Sequence, residues 1–376
     1  MARERMVWLD GLRLIAGLSM VGLHCTADSS GLPWVAYEPE ERIGPLFLRA
    51  VFYTARTELF LLISVFLLLL SMERRPRFFG ETMREQARRL LIPFVFWTCF
   101  YAVFNVIKAE TFGYGSAYSL ALFETKTWLG FFLLGDVKYH MHFLPTLFAL
   151  LVFYPLFGVA KQRPWLGLLI LVCLFLRREI DTFIYRNFWG HESLPYLIRA
   201  VKIATYTGYG FAAAALLGIW ERRRTADLSK YRAPMMIAGL CLFAFKLRAT
   251  GTAISTGVWP YADLLGYWAD FLMPVILFVT LMAFSEKHFP AVLSRGARYS
   301  FGIYLSHPIF VDFAEILLKD ADLNPLMQVA VKLGLAVPLS VILVILVARW
   351  PAAAWTIGLG RVPSFPAFSS LQKEVR

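Results

Sequence analysis

Residues 53–70 read YTARTELFLLISVFLLLL. Apart from Arg56 and Glu58 the run is almost wholly apolar, and continued back to Phe47 it reaches the about 20 residues that a helix needs to cross a bilayer core. The same ruler, moved outward in both directions, finds apolar runs beginning near Trp8, Leu90, His142, Trp165, Arg199, Pro234, Asp263, Ala297 and Leu326. With the quoted run these make about ten crossings, so the sequence predicts an all-α, polytopic transmembrane helical bundle. The stretch from Tyr118 to Gly135 is interrupted by Glu124 and Lys126, and is read as an interfacial or re-entrant helix instead of a full span.

Composition agrees with lipid as the solvent. Of 376 residues, 58% are hydrophobic, 16% aromatic and only 17% charged, and the mean hydropathy is +0.58. These values exclude an ordinary soluble domain. The net charge of +12 does not point to nucleic acid, because the basic residues gather in short links between apolar runs. The links holding Arg74, Arg75, Arg77, Arg84, Arg88 and Arg89, and then Arg222, Arg223, Arg224, Lys230 and Arg232, are read as cytoplasmic. Alternation then puts Arg3, Arg5, Arg361, Lys373 and Arg376 inside and the acidic link Glu38 to Glu41 outside, with both termini cytoplasmic. One link breaks the pattern: Arg177 to Arg199 falls outside, yet carries Arg177, Arg178 and Arg186 among Glu179, Asp181 and Glu192.

The first 30 residues imitate a secretory signal, but Asp10 and Arg13 interrupt the apolar part and no A-x-A site follows, so the segment is kept as the first span. Cys25, Cys99, Cys173 and Cys241 show no C-x-x-C spacing, which predicts neither a disulfide framework nor a metal site. With no repeat or long linker, residues 1–360 read as one membrane domain and residues 361–376 as a loosely ordered cytoplasmic tail.

Candidate chemistry lies in the polar residues inside apolar runs, since a charge at mid-span costs about 2.5–3.5 kcal/mol on insertion scales. In WLDGLRLIAGLSMVGLH (8–24), Asp10 and Arg13 are one turn apart, and His24 follows Arg13 by 11 residues. At about 100° per residue that is close to three full turns, so Arg13 and His24 share a face about 16 Å apart along the axis. Gly11, Ala16, Gly17, Ser19 and Gly22 let a neighbouring helix approach closely. In ARYSFGIYLSHPIFVDF (297–313), Ser300, Tyr304 and His307 form a second polar line, and Pro308, lacking an N–H, leaves the Tyr304 carbonyl without its helical donor. Glu58 either orients a catalytic imidazole or forms a structural pair with Arg56. Arg84 and Arg88, one turn apart, suit phosphate groups, although lipid headgroups and the positive-inside rule call for arginines there too. For each of these residues the bland reading, a satisfied core pair or an interfacial anchor, stands beside the functional one.

Taken together these stretches resemble the acyltransferase-3 family of multi-pass membrane acyltransferases. The first run has its L-D-x-x-R start followed by His, ELFLLISVFL (58–67) its aromatic-rich second helix, and MREQARRLLIPF (83–94) its basic entry to the third. HFLPTLFALLVFYPL (142–156) is similar to its W-F-L helix, and RYSFGIYLSHPIF (298–310) to its S-Y-x-I-Y-L-x-H-P ending. Two departures are Ser64-Val65 in place of Ser-Gly, and His142 where the family has Trp. The chain resembles the shorter, membrane-only members. The resemblance implies an O-acyltransferase of the bacterial cytoplasmic (inner) membrane, passing an acyl group, most often acetyl, from acetyl-CoA or another acyl-CoA to a hydroxyl of an extracytoplasmic glycan or lipid-linked saccharide. The implied acceptors include polysaccharides of the cell envelope, and no metal is implied. The residues carried over are His24, Glu58, Tyr304 and His307 as catalytic or cavity-lining, and Arg13, Arg84 and Arg88 as donor-binding. Because buried Arg, His and Glu also mark substrate pathways, a transporter or flippase for a lipid-linked saccharide is the competing reading, with a sensor or scaffold as a third.

Overall fold

Why so many polar groups survive in an apolar chain becomes visible in the computed structural model, which describes residues 6–222 and 228–362. Arg3, Arg5, Arg223, Arg224, Lys373 and Arg376, with most of the expected tail, lie outside the described residues. The described residues form fifteen α-helices and no strand. In order these are α1 (Val7–Cys25), α2 (Pro39–Tyr53), α3 (Thr57–Arg74), α4 (Phe79–Thr111) and α5 (Gly115–Ala121). Next come α6 (Thr125–Leu133), α7 (Phe143–Val152), α8 (Tyr154–Gln162), α9 (Leu169–Phe188) and α10 (Leu194–Arg222). The last are α11 (Arg232–Thr256), α12 (Leu264–Ala283), α13 (Ala291–Ala297), α14 (Ser300–Leu318) and α15 (Pro325–Arg349).

A helix stands at each of the ten places read from the sequence. Seven stretches are long and apolar enough to cross a membrane, with α2 and α3 counted as the single stretch Pro39–Arg74. An eighth is reached if α7 and α8, bent by 64° at Phe153, count as one broken span. The two remaining places are α1, which carries Asp10 and Arg13, and α9, which carries Arg177, Arg178, Glu179 and Asp181. Their charges lower the mean hydropathy, and the same charges build the interior described below. The Tyr118 to Gly135 stretch holds most of α5 and all of α6, helices of 7 and 9 residues that are too short to span.

Helix α1 is central. Its buried face runs from Trp8 through Leu12, Ala16 and Met20 to Cys25. A Cβ built on Gly17 would come within 3.3 Å of Ser300 Cβ, which is how the small residues expected to permit close approach bring α1 against α14. At its other end Asp10 accepts a hydrogen bond from Ser294 on α13 at 2.7 Å. Helix α10 packs on α9 and α8, with Gly218 set against the Lys161 carbonyl. The outward faces remain apolar, as Val103 on α4, Leu240 on α11 and Leu346 on α15 illustrate; in lipid such surface has no reason to be hidden.

Because the spans alternate, one face of the bundle collects the arginine-rich link between α3 and α4 and the inner end of α14. That face carries the basic links that the positive-inside rule assigns to the cytoplasm, and the alternating directions of the helices bring both described chain ends to it. The opposite face carries His24, the end of α4 and the loop between α6 and α7.

The tight α8–α10 contact gives a direct test. A Cβ at Gly218 would stand 2.2 Å from the Lys161 backbone oxygen, whereas one at Gly251 on α11 meets nothing within 4 Å. Gly218→Ala is therefore expected to lower stability by about 1–3 kcal/mol, and Gly251→Ala to leave it unchanged or raise it by up to about 1 kcal/mol. Thermal denaturation of the purified protein in detergent reads both.

Candidate active site

The outer end of α1 is fastened by three separate elements. The Leu23 carbonyl, left without a helical donor at the C-terminus, accepts from Arg49 Nη1 at 2.7 Å and from Thr26 Oγ1 at 2.9 Å. Trp34 Nε1 donates to the Thr26 carbonyl at 3.0 Å, and Lys332 Nζ to the Ala27 carbonyl at 2.9 Å. His24, within this clamp, is held as a fixed part of the interior.

Its neighbours are rings. The His24 and His307 imidazoles stack with centroids 5.5 Å apart, and Tyr139 lies 4.0 Å from His24 on another side. His140 sits 5.2 Å from both His307 and Tyr304. Three imidazoles thus share one site, two from span helices and one from the loop ahead of α7. His140, His307 and Tyr304 are fully buried, while Tyr139 keeps part of its side chain at the surface. Among the described residues no group of three His, Cys, Asp or Glu has the arrangement to hold a metal ion.

Pro308 acts as its chemistry requires. The Tyr304 carbonyl, freed of its helical donor, lies 2.8 Å from His307 Nδ1, with the Ile303 carbonyl at 3.2 Å. A carbonyl can only accept, so Nδ1 carries the proton and Nε2 keeps its lone pair. His307 Nε2 is buried with no partner, as is His24 Nε2 and as are both ring nitrogens of His140. Buried polar atoms normally have partners, so four orphaned ring nitrogens in one place mark a site arranged for a guest. The Tyr304 hydroxyl is engaged by the His140 carbonyl, which ties α14 to the loop.

Further along α14, towards its outer end, lies a charged cluster that the sequence reading missed. Lys108 on α4 pairs with Asp312 and Glu315 on α14, Lys138 in the loop pairs with Asp312, and Lys332 on α15 pairs with Glu315 at 3.0 Å. Asn105 Oδ1 accepts from Lys138 at 3.0 Å, and its amide nitrogen donates to the Val137 carbonyl at 2.7 Å. Three lysines on two carboxylates hold the loop Gly135–His142 against α14 and so place Tyr139 and His140 beside His307. Neither Lys138 nor His140 lies in a periodic apolar run, which is why helix reasoning passed over them. The available signal was compositional: KYHMH (138–142) puts four chemistry-bearing side chains into five loop residues.

Glu58 is placed elsewhere. Its carboxylate pairs with Arg56 at 2.7 Å and accepts from the Tyr206 hydroxyl, and it makes no hydrogen bond to His24. Of the two roles open to Glu58 in the sequence, the ion pair is the one present. Arg56 itself lies over the Tyr53 and Phe271 rings at 4.6 and 4.5 Å. At the inner end Arg13 lies 3.6 Å from Asp10. Arg84 and Arg88 are exposed and make no ion pair with any described residue, unlike Arg77, which pairs with Glu85. The structure therefore brings His24, Tyr304 and His307 together at the outer side and leaves Arg13, Arg84 and Arg88 at the cytoplasmic end. Cys25 next to His24 is buried, with its side chain on a different face of α1.

Comparison with known proteins bears on this arrangement. Residues 6–345, most of the chain, match the family model described as an acyltransferase domain, acyltransferase-3. No curated protein and no solved structure matches.

Two substitutions test the geometry. Asp312→Ala strands Lys138 as a buried charge and leaves Lys108 with Glu315 alone, and is expected to cost about 3–5 kcal/mol, whereas Lys126→Ala, which removes the exposed pair with Glu192, should leave the unfolding temperature in place. Pro308→Ala restores an amide that competes for the Tyr304 carbonyl; the expected outcome is a folded protein whose His307 ring proton, followed by NMR, is no longer held at Nδ1.

Proposed function

The chain belongs to the acyltransferase-3 family of membrane acyltransferases, and from that premise we propose that it moves an acyl group, acetyl first among the candidates, from a cytoplasmic acyl-CoA to a hydroxyl of an extracytoplasmic glycan. The observation that carries the finer part of this reading is the pair of unpartnered Nε2 atoms on His24 and His307, 5.5 Å apart between ring centroids, with the partly exposed Tyr139 against His24.

Acyl transfer to a hydroxyl needs a base for the hydroxyl proton and a pathway for the leaving group. In the proposed step the acceptor hydroxyl donates its proton to His24 Nε2 while its oxygen bonds to the thioester carbonyl carbon. The tetrahedral intermediate then collapses, the C–S bond breaks, and the thiolate leaves with the proton that His24 returns. His307, held as the Nδ1–H form, offers a second lone pair that orients the hydroxyl without competing for the role of proton donor. Transient acylation of His24 gives the same products in two steps and differs only in releasing thiol before any acceptor is present.

The donor would bind from the other face. Arg84 and Arg88 present two unpaired planar guanidinium groups one helical turn apart, which suits the phosphates of coenzyme A. Arg13 lies on the same face of α1 as His24, along the path that a pantetheine arm would follow from one to the other. The acceptor would be a saccharide of the cell envelope, free or lipid-linked, and the expected location is the bacterial inner membrane.

With the purified protein in proteoliposomes, acetyl-CoA as donor and a cell-envelope saccharide extract as acceptor, thiol release should be measurable and should fall about 10²- to 10⁴-fold in His24→Ala. No release by the wild type, or undiminished release without His24, overturns the reading. In Arg84→Ala and Arg88→Ala the KM for acetyl-CoA is expected to rise with kcat little changed, and S-acetylpantetheine, which lacks the nucleotide, should not register either substitution.

A further inference from the structure

A cavity opens on the outer half of the bundle, beside the imidazole cluster. Its volume is about 330 Å³, and His142, Arg177, Arg199 and Lys202 line it together with Tyr185 and Pro195. The size falls at the small end of ligand pockets, which run from roughly 300 to 1,000 Å³. The charge of its walls needs explaining. Arg56 is paired with Glu58 and Arg177 with Asp181 at 3.3 Å, but Lys202 has no carboxylate partner among the described residues. Lys202 Nζ contacts His142 Nε2, at 3.5 Å, and the Tyr206 ring, at 5.4 Å, and feels Glu58 and Asp181 only from beyond ion-pair distance, both of them already paired with arginines. Arg199 spends its donors on the carbonyls of Leu134 and His142 and on Thr146 Oγ1, so its charge is held by neutral groups. With Asp136 counted, because it lies within electrostatic reach of Arg199, four cations face three carboxylates.

Two further atoms are unspent. Arg177 Nη1 and His142 Nδ1 are both buried with no hydrogen-bond partner. An ammonium with no ion pair among the described residues, a free guanidinium nitrogen and a free imidazole nitrogen around one small cavity form a set of donors with a missing acceptor. The sequence anomaly has the same source: Arg177 and Arg199 belong to the outer side, where the positive-inside rule disfavours them, and both are turned inward and tied down. His142 joins the two sites, since it lies within electrostatic reach of both His24 and Lys202.

We infer that this cavity is an anion subsite for the acceptor, taking one carboxylate- or phosphate-bearing sugar unit on Lys202, Arg177 and His142 while a neighbouring hydroxyl meets His24. The assignment of the anion to an acceptor rests on the transfer reading given above. It narrows the acceptor class to acidic saccharides, and it gives the site a means of choosing among glycans that all carry hydroxyls.

The experiment uses the full chain purified in an uncharged polyoxyethylene detergent, with sodium glucuronate, glucose and inorganic phosphate as probes at constant ionic strength. Saturable thermal stabilisation is expected from glucuronate and phosphate and none from glucose. Lys202→Gln should weaken glucuronate about ten-fold, the contribution of one charge-assisted hydrogen bond. Lys202→Arg should restore most of the binding. Equal glucuronate affinity in wild type and Lys202→Gln, or equal stabilisation by glucose, overturns the proposal. So does loss of glucuronate binding in nanodiscs containing phosphatidylglycerol but not in phosphatidylcholine alone, because the occupant is then a lipid headgroup. Thiol release from acetyl-CoA, followed in the same preparations, separates the two readings: release without anion binding sinks the subsite alone, and anion binding without release sinks the transfer reading and the acceptor assignment with it.

Discussion

Asp312 and Glu315, one turn apart on α14 and buried, cannot stay ionised inside a membrane bundle without partners, and the rest of the outer half is arranged around that requirement. Lysines arrive from three directions to meet it: Lys108 on α4, Lys138 in the loop before α7 and Lys332 on α15. Each brings a piece of backbone with it. Lys332 also holds the Ala27 carbonyl just beyond α1, and Lys138 carries Tyr139 and His140 on the next two positions. A single electrostatic need thereby fixes the relative positions of α1, α4, α14, α15 and a loop with no secondary structure of its own. Whether such a cluster contributes net stability matters less than its intolerance of partial loss. Removal of one partner leaves a charge with nowhere to go, so the arrangement is held as a unit.

How much of this was readable follows from where each residue stands. The imidazoles of His24 and His307 interrupt long apolar helices, and an interruption in a regular pattern stands out. Pro308 could be read further, since a proline has one invariable effect on the carbonyl four residues back, and that carbonyl does accept from His307 Nδ1. Loop residues offer no pattern to break. His140 and Lys138 contribute as much to the site as the helical residues, but their positions are set by tertiary pairing with α14, which spacing along the chain does not encode. Glu58 is the intermediate case: the sequence shows a carboxylate that must be neutralised, with Arg56 two residues away, while Tyr206, 148 residues distant, becomes visible only in the fold.

The span count shows the same limit from the other side. A hydropathy measure penalises α1 and α9 because it treats a charged residue as facing lipid. Asp10 is satisfied by Ser294 and Arg177 by Asp181, so those charges face protein, and helices that look marginal by composition are well placed in the bundle. The break between α2 and α3 has a related cause. Arg56 takes an extended backbone at the start of α3, and with the helix interrupted there its side chain turns onto Glu58. Span rulers find where helices stand, but they do not say which turn will be given up to a buried pair.

The contrast between the two sets of arginines then has a physical reason. At the end that carries the basic links, Arg84 and Arg88 are exposed and make no ion pair with any described residue, in high dielectric, where a guanidinium is stable without a carboxylate and costs little to leave free. On the outer half Arg56, Arg177 and Arg199 are drawn into the interior, and each has been given a carboxylate, a ring face or a set of carbonyls. Lys202 is the exception: among the described residues it makes no ion pair, and its near contacts are an imidazole nitrogen and a ring. Burial makes a lone ammonium expensive in the absence of an anion and correspondingly selective in its presence, because the same low dielectric that penalises the empty site strengthens the filled one. On the proposed reading, a soluble donor that must be captured and released needs the first kind of arginine, and an acceptor that must be recognised before it reacts is better served by the second kind of cation.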